Sequence, residues 1–219
     1  VSPRAAPRIA ALVTAAGRSS RMGGAHKALL PWGDAPLVAH QVHTLAASLP
    51  PGAPLVVVVG ARGEEVARAV PPAARVVSNA RWCAGRSTSL AAGFRALAPS
   101  PAAAPDAVLV VAVDQPLHAV TVEALLAAFA PDRHALAVPT FQGRRGHPVL
   151  LSSRLWPELL AVEDEPQGLR TIVRRHAGAR LEVPVDRPVR WDLNTPEDYA
   201  RARAAGWEAQ APGAPAPTS

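Results

Sequence analysis

The residues best suited to chemistry lie in Thr14-Ala15-Ala16-Gly17-Arg18-Ser19-Ser20-Arg21-Met22-Gly23-Gly24-Ala25-His26-Lys27. Small residues there let backbone N–H groups approach phosphate oxygens with no side chain between, and Arg21 and Lys27 can neutralise a polyphosphate. Lys27 is the single lysine among 23 basic residues, so its presence asks for a reason. A Walker loop needs glycine, four residues, then Gly-Lys-Ser/Thr, whereas five residues separate Gly17 from Gly23 and Ala28 follows Lys27. The competing reading is an ordinary glycine-rich turn carrying solvated cations.

A carboxylate follows the aliphatic run Ala107 to Val113, in Val111-Ala112-Val113-Asp114-Gln115-Pro116. Pro116 stops the strand there, and Asp114 is placed to reach a bound Mg²⁺, a hard cation that takes one or two carboxylates plus substrate phosphates and water. The second candidate is Trp191-Asp192-Leu193-Asn194-Thr195-Pro196-Glu197-Asp198. Extended spacing predicts Asp192 and Asn194 on one side of a strand, with Thr195 capping a helix that begins at Pro196. Turn chemistry is the alternative for Asp114, and helix-entry chemistry for Asp192 and Asn194.

Two further loops carry polar groups. Asn79 to Leu90 enters a helix whose first N–H groups and hydroxyls can hold polar ligand atoms, or be capped by Ser87. Pro139 to Val149 gathers Arg144, Arg145, Gly146 and His147, which suits an anionic acceptor or else forms a solvated basic hairpin. His40 and His43, three apart on a predicted helix, lack a third ligand type and read as packing or surface residues. Cys83, the single cysteine, reads as a small buried residue.

The elements that must position these groups are strands at Ile9 to Thr14, Leu55 to Val59, Arg75 to Ser78, Ala107 to Val113 and Ala135 to Val138, with an extended segment at Gly146 to Leu151. Helices are expected at Pro36 to Ser48, Glu64 to Val70, Ser87 to Leu97, Thr121 to Ala130, Ser153 to Ala161, Gln167 to Arg175 and Pro196 to Ala205. Alternation of wholly aliphatic strands with amphipathic helices predicts an α/β fold, a single-domain doubly wound and mostly parallel sheet with helices on both faces. In such folds ligands sit beyond the strand C-termini. The domain is expected over 9–207, between a flexible start at 1–8 and an Ala/Pro-rich mobile tail at 208–219.

A chain of 219 residues with 49% hydrophobic content can bury one substantial core. Its net charge of +6 rests on scattered arginines with only three Phe and one Tyr, which argues against nucleic acid and for a polyanionic small molecule. No apolar run reaches the roughly 18 residues of a membrane span, no signal-peptide pattern opens the chain, and one cysteine forms no internal disulfide; a cytoplasmic location is the expectation.

Thr14-Ala-Ala-Gly-Arg-Ser-Ser-Arg-Met-Gly followed by Lys27-Ala-Leu-Leu-Pro-Trp resembles the signature loop of the MobA-like nucleotidyltransferases, and within them the molybdenum cofactor cytidylyltransferase branch. The Asp-x-Pro at Asp114 and the late Asp-x-Asn-Thr-Pro-Glu-Asp segment extend the resemblance from about Ile9 to about Trp207. The resemblance implies that the backbone of Ala15, Ala16 and Gly17 faces the base, that Arg21 and Lys27 grip the phosphates with Arg18 and Ser19 nearby, and that Asn79, Gly85 and Ser89 line the nucleotide site. It further implies Gly146 and His147 against a pterin, and Arg144 or Arg145 against its phosphate.

The expected reaction is in-line attack by the acceptor's phosphate oxygen on the α-phosphorus of CTP, with Mg²⁺ held at Asp114 and pyrophosphate leaving. By resemblance the acceptor is molybdopterin carrying molybdenum, the product its cytosine dinucleotide, and the onward partner a molybdenum hydroxylase or its insertion chaperone. Guanylyl transfer to the same cofactor is the nearest rival, although its signature has Ala-Gly-Gly where this chain has Ala15-Ala16-Gly17. A sugar-phosphate or alcohol-phosphate nucleotidyltransferase comes next, and a noncatalytic carrier of the cofactor is the rival from another class.

Overall fold

Period-two alternation in the first strand decides how the layers form. In the computed structural model, which describes residues 7–206, β1 (Ile9–Ala15) is fully buried at Ala10, Ala11, Leu12 and Val13. Ala11 and Val13 face one apolar cluster, and Ala10 and Leu12 face another. A strand buried on both faces belongs at the centre of a sheet.

The chain continues through the small hairpin β2 (Pro31–Trp32) and β3 (Ala35–Pro36), α1 (Leu37–Ser48), β4 (Leu55–Val59), α2 (Gly63–Ala69), β5 (Arg75–Ser78) and α3 (Arg86–Leu97). Then come β6 (Ala107–Ala112), α4 (Ala119–Ala128), β7 (Leu136–Phe141), β8 (Arg144–Arg145), β9 (Val149–Ser152), α5 (Trp156–Leu160), α6 (Leu169–Arg175), β10 (Arg180–Pro184) and α7 (Pro196–Ala204). The large sheet runs β10-β7-β9-β6-β1-β4-β5, with β8 paired to β7. It is mostly parallel along the path; β9 runs antiparallel to β6 and β7, and β8 antiparallel to β7.

Leu37, Val42 and Leu45 of α1, Val122 and Leu125 of α4 and Ala202 of α7 cover one face; Phe94 of α3, Trp156 of α5 and Ile172 of α6 cover the other. Phe94 and Trp156 meet edge to face at 5.7 Å, a geometry worth about 1 kcal/mol beyond the area buried. α3 comes close to β1 through Gly93, where an added Cβ would lie 2.2 Å from Leu12 Cδ1.

The doubly wound, mostly parallel α/β sheet expected from the alternation is the fold observed. Several boundaries differ for local reasons. The strand expected from Gly146 begins at Val149, after Pro148, which brings no N–H to the ladder. The expected helix at Ser153 to Ala161 divides into a 3₁₀ turn at Ser153–Leu155 and α5. α6 starts at Leu169 because Gly168, at φ +54°, is not helical. β10 has no counterpart among the expected strands: Arg180 and Glu182 interrupt any aliphatic run, as suits the edge strand it proves to be.

Arg8, in the start expected to be flexible, is tied down, its N–H donating to Asp106 Oδ2 at 2.7 Å and its guanidinium to Ala104 O at 2.7 Å. The rest of that start (residues 1–6), Trp207 and the expected mobile tail lie outside the described residues. Among the described residues no helix is long and apolar enough to cross a membrane.

Candidate active site

The order of strands places the site. The chain builds β1, β4 and β5 in one direction and then returns to lay β6 on the other side of β1. The gap between β1 and β6 is therefore the switch point at which open α/β sheets bind ligands. Thr14 pairs with Ala112 across this gap, so the glycine-rich loop and the acidic turn leave the sheet side by side.

The loop from Ala16 to His26 is fixed by two turns, Met22 N–H to Ser19 O at 3.0 Å and Ala25 N–H to Met22 O at 3.1 Å, and by the buried side chain of Met22. Gly23 and Gly24 have φ of +60° and +93°, the left-handed region that favours glycine. A Cβ at Gly17, Gly23 or Gly24 would meet open space, so the outer side of the loop is bare backbone. Ser19 turns inward, its Oγ accepting from Lys27 N–H at 3.0 Å.

Lys27 opens a 3₁₀ turn, Lys27–Leu29, and its Nζ donates to Asp114 Oδ2 at 2.8 Å and to Asn194 Oδ1 at 3.0 Å. Arg21 Nη2 donates to the same Asn194 Oδ1 at 3.0 Å. Three segments far apart in sequence thus meet in one cluster. Asp114 is held from behind, its carbonyl accepting from Leu193 N–H at 2.9 Å, while Gln115 Nε2 donates to Asp192 Oδ1 at 2.6 Å.

Asp192 and Asn194 do not lie on a strand. They occupy an irregular segment whose exit is set by a capping box, Thr195 Oγ1 accepting from Asp198 N–H and Asp198 Oδ2 from Thr195 N–H. Asn194 faces the cations, and Asp192 is met by Gln115.

Nζ of Lys27 bonds one oxygen of Asp114, and Oδ1 has no hydrogen bond from any described residue. Oδ2 of Asp192 is similarly without one. Two carboxylates with open oxygens fit a hard divalent cation such as Mg²⁺, which completes its shell with phosphate oxygens and water. No cluster of three or more His, Cys, Asp or Glu occurs among the described residues.

In the loop expected to meet the nucleoside, Asn79 is buried and its Nδ2 donates to Thr88 Oγ1 at 2.9 Å and Ser89 Oγ at 3.0 Å; it fastens the turn after β5 to α3. Gly85, at φ +129°, caps α3 in place of Ser87. Sequence reasoning gave no role to Gly60 or Trp82. A Cβ on Gly60 would lie 2.6 Å from Trp82 Cβ and 2.8 Å from Ala16 Cβ, so this glycine lets Trp82 close against the loop. Arg18 lies over the Trp82 ring, 5.2 Å from its centroid. An aromatic three residues after Asn79 was the available signal.

In the loop expected to meet the acceptor, Gly146 N–H donates to Pro139 O, and a Cβ there would fall 1.9 Å from Val189 O, so only glycine fits. His147 N–H donates to Val189 O at 2.9 Å. Its ring is reached by solvent yet crowded by protein, and that desolvation, the largest influence, holds its pKa below the usual histidine value. Asp192 and Asp114 pull it up, whereas Arg86 and Arg190 push it down. Arg144 is exposed, and Arg145 pairs with Glu182 at 2.7 Å across the sheet edge. His40 is buried near Leu117 O and His43 is exposed. Cys83 is exposed rather than buried, because it sits in a surface 3₁₀ turn, Trp82–Ala84.

A bare-backbone loop, two cations and two open carboxylates at a switch point define a nucleotide-binding α/β protein. The profile of the MobA-like NTP transferase domain matches residues 11–181, and the chain belongs to that family. The nicotine blue oxidoreductase of Paenarthrobacter nicotinovorans is 33% identical over 177 residues, 77% of this chain and 83% of that one. Among solved structures, the Rv0371c homologue from Mycobacterium sp. strain JC1 superposes with a TM-score of 0.72 at 28% identity, covering 90% of this chain and 96% of that one. A nucleotidyl transferase from Methanothermobacter gives 0.71 at 26% identity, covering 90% and 96% respectively.

Proposed function

We propose that this protein transfers CMP from CTP to the phosphate of molybdopterin carrying molybdenum, giving the cytosine dinucleotide and pyrophosphate. The observation that carries the reading is the junction of Lys27 Nζ with Asp114 Oδ2 at 2.8 Å: the loop cation and the acidic tip share one cleft. The choice of base and acceptor rests on the loop signature Ala15-Ala16-Gly17 and on the basic, histidine-bearing segment at Arg144 to His147.

In this reading the amides of Ala15, Ala16 and Gly17, with Ser19, Asn79, Gly85 and Ser89, surround the nucleoside, and Arg18 is steadied above it by Trp82. Arg21 and Lys27 leave the amide oxygen of Asn194, and Lys27 also the Asp114 carboxylate, to bind the triphosphate, exchanging these partners for the more highly charged phosphate oxygens. Asp114 and Asp192 would hold Mg²⁺, whose charge would offset that of the phosphates. His147, neutral at physiological pH, offers a hydrogen bond to the acceptor, with Gly146 at its back and Arg144 nearby; Arg145 must leave Glu182 to contribute. No general base is needed, since a phosphate monoester is already anionic.

The test is a panel of CTP, GTP, UTP and ATP with molybdenum cofactor and Mg²⁺, read by pyrophosphate release and product mass. CTP turnover lost in Asp114→Ala and Lys27→Ala is the expected result; preference for GTP moves the assignment to guanylyl transfer. A folded wild type that turns over no NTP supports the carrier.

The name of the Paenarthrobacter relative favours a second reading, a redox reaction on nicotine blue or a similar compound in the same cleft. Incubation with nicotine blue and a reduced nicotinamide dinucleotide tests it directly, bleaching of the dye being the positive result.

A further inference from the structure

The turn that carries Asp114 does not rest on the sheet alone. Gln41, in the middle of α1, is completely buried, and its amide spends every group on that turn's backbone. Nε2 donates to Gln115 O at 2.7 Å and to Val113 O at 3.3 Å, and Oε1 accepts from Leu117 N–H at 3.1 Å. The side chain therefore brackets Asp114, gripping the residue before it, the residue after it and the one three further on. Among the described residues these groups have no other hydrogen-bond partner, because strand pairing ends with β6.

The same turn governs the second carboxylate. With its carbonyl fixed by Gln41, Gln115 points its own amide at Asp192 Oδ1 at 2.6 Å. A carboxylate accepts only from the NH₂ end of an amide, which sets the orientation of Gln115 as well. A single buried side chain on a helix thus orients Asp114 directly and Asp192 through one intermediate.

We infer that Gln41 is a positioning residue for the acidic pair, fixing the separation and aim of the Asp114 and Asp192 carboxylates for a divalent cation. The inference rests on the nucleotidyl-transfer reading of the site. Groups behind metal ligands commonly cost 10- to 100-fold in metal affinity or activity when removed, although Gln41 touches neither substrate nor metal.

Gln41→Met keeps the length and burial of the side chain and deletes all three hydrogen bonds. Thr44→Val is the control: Thr44 is equally buried on the same helix, and its hydroxyl has no partner among the described residues. Three quantities are read: Mn²⁺ binding by titration without nucleotide, kcat and KM for CTP, and hydrogen exchange of the Leu117 amide. Expected for Gln41→Met are at least tenfold weaker Mn²⁺ binding, at least tenfold lower kcat, a CTP KM within threefold of wild type, and faster exchange at Leu117; Thr44→Val changes none of these. Should Gln41→Met fail to fold, Gln41→Glu, which keeps the acceptor for Leu117 and loses both donors, is held to the same Mn²⁺ and kcat thresholds. Wild-type Mn²⁺ affinity and kcat in a folded Gln41 variant overturn the inference, as does a Leu117 amide that exchanges freely in the wild type. A wild type that turns over no nucleotide refutes the functional reading instead, and the Mn²⁺ and exchange measurements then still decide the role of Gln41.

Discussion

Replacing Lys27 with methionine removes the cation from the centre of the site and leaves Asp114 facing the cleft unpaired. The two groups are 2.8 Å apart, and their side chains retain only 12% and 20% exposure. At the effective dielectric of about 20 that suits such positions, their attraction is about 6 kcal/mol before desolvation. Desolvation takes back most of that, and the residue should fall between the value of about 1 kcal/mol for surface pairs and the 3–5 kcal/mol loss on breaking buried ones. A coupling of about 2 kcal/mol follows, which in a domain of this size moves Tm by roughly 4–8 °C. The assay is a double-mutant cycle: thermal denaturation of Lys27→Met, Asp114→Asn and the double variant without metal, beside pyrophosphate release from CTP. Each single variant should lose roughly 10²- to 10³-fold in kcat, and the double variant should lose no more than the worse single one, since the groups act as a unit. Strictly additive Tm shifts, or a Lys27→Met enzyme keeping a tenth of wild-type activity, would refute the reasoning.

Other outcomes follow from single contacts. Gly146→Ala drives a methyl into Val189 O, and should cost roughly 2–3 kcal/mol in denaturant unfolding while raising KM for the acceptor. Thr195→Ala removes one half of the capping box and should cost about 1 kcal/mol, with a smaller loss for Thr195→Ser. Burial, aided by Arg187 and His40, pushes the His118 pKa down to about 4 against a partial pull from Asp186. The unfolded chain therefore binds the extra proton between pH 6.5 and 4, so stability is full above pH 6.5 and falls by about 3 kcal/mol on the way to pH 4. Urea midpoints measured across that window should drop less steeply in His118→Gln, and an unchanged slope counts against the assignment.

The strands were legible because Leu55-Val-Val-Val-Val and Ala107-Val-Leu-Val-Val can only be buried on both faces, and the loop after β1 was legible because glycines and a lone lysine are costly to explain otherwise. Sheet order was not: nothing in the aliphatic runs says that β6 returns to lie beside β1, and that adjacency alone brings Asp114 to Lys27. β10 was hidden because an edge strand can carry the paired Arg180 and Glu182 where a central strand would be aliphatic. Asn194 stood out through its Asp-x-Asn-Thr-Pro setting, yet its link to Arg21 and Lys27 spans most of the chain. Gln41 was invisible. A glutamine inside Leu37-Val-Ala-His-Gln-Val reads as an ordinary helix polar residue, and only the completed fold shows that it faces inward.

Parallel pairing of Thr14 with Ala112 carries a consequence for how the protein comes into being. Bringing together partners so distant along the chain pays its loop-closure entropy before any local reward arrives, which slows folding. The cleft is complete only in the full domain: a nascent chain halted before Ala107 has the phosphate loop but no acidic wall, and one halted before Asp192 lacks the Asn194 oxygen that Arg21 and Lys27 share. Competence to bind a metal-chelated nucleotide should arise late in synthesis, in one step, so ligand binding serves as a report on whether the whole sheet has closed.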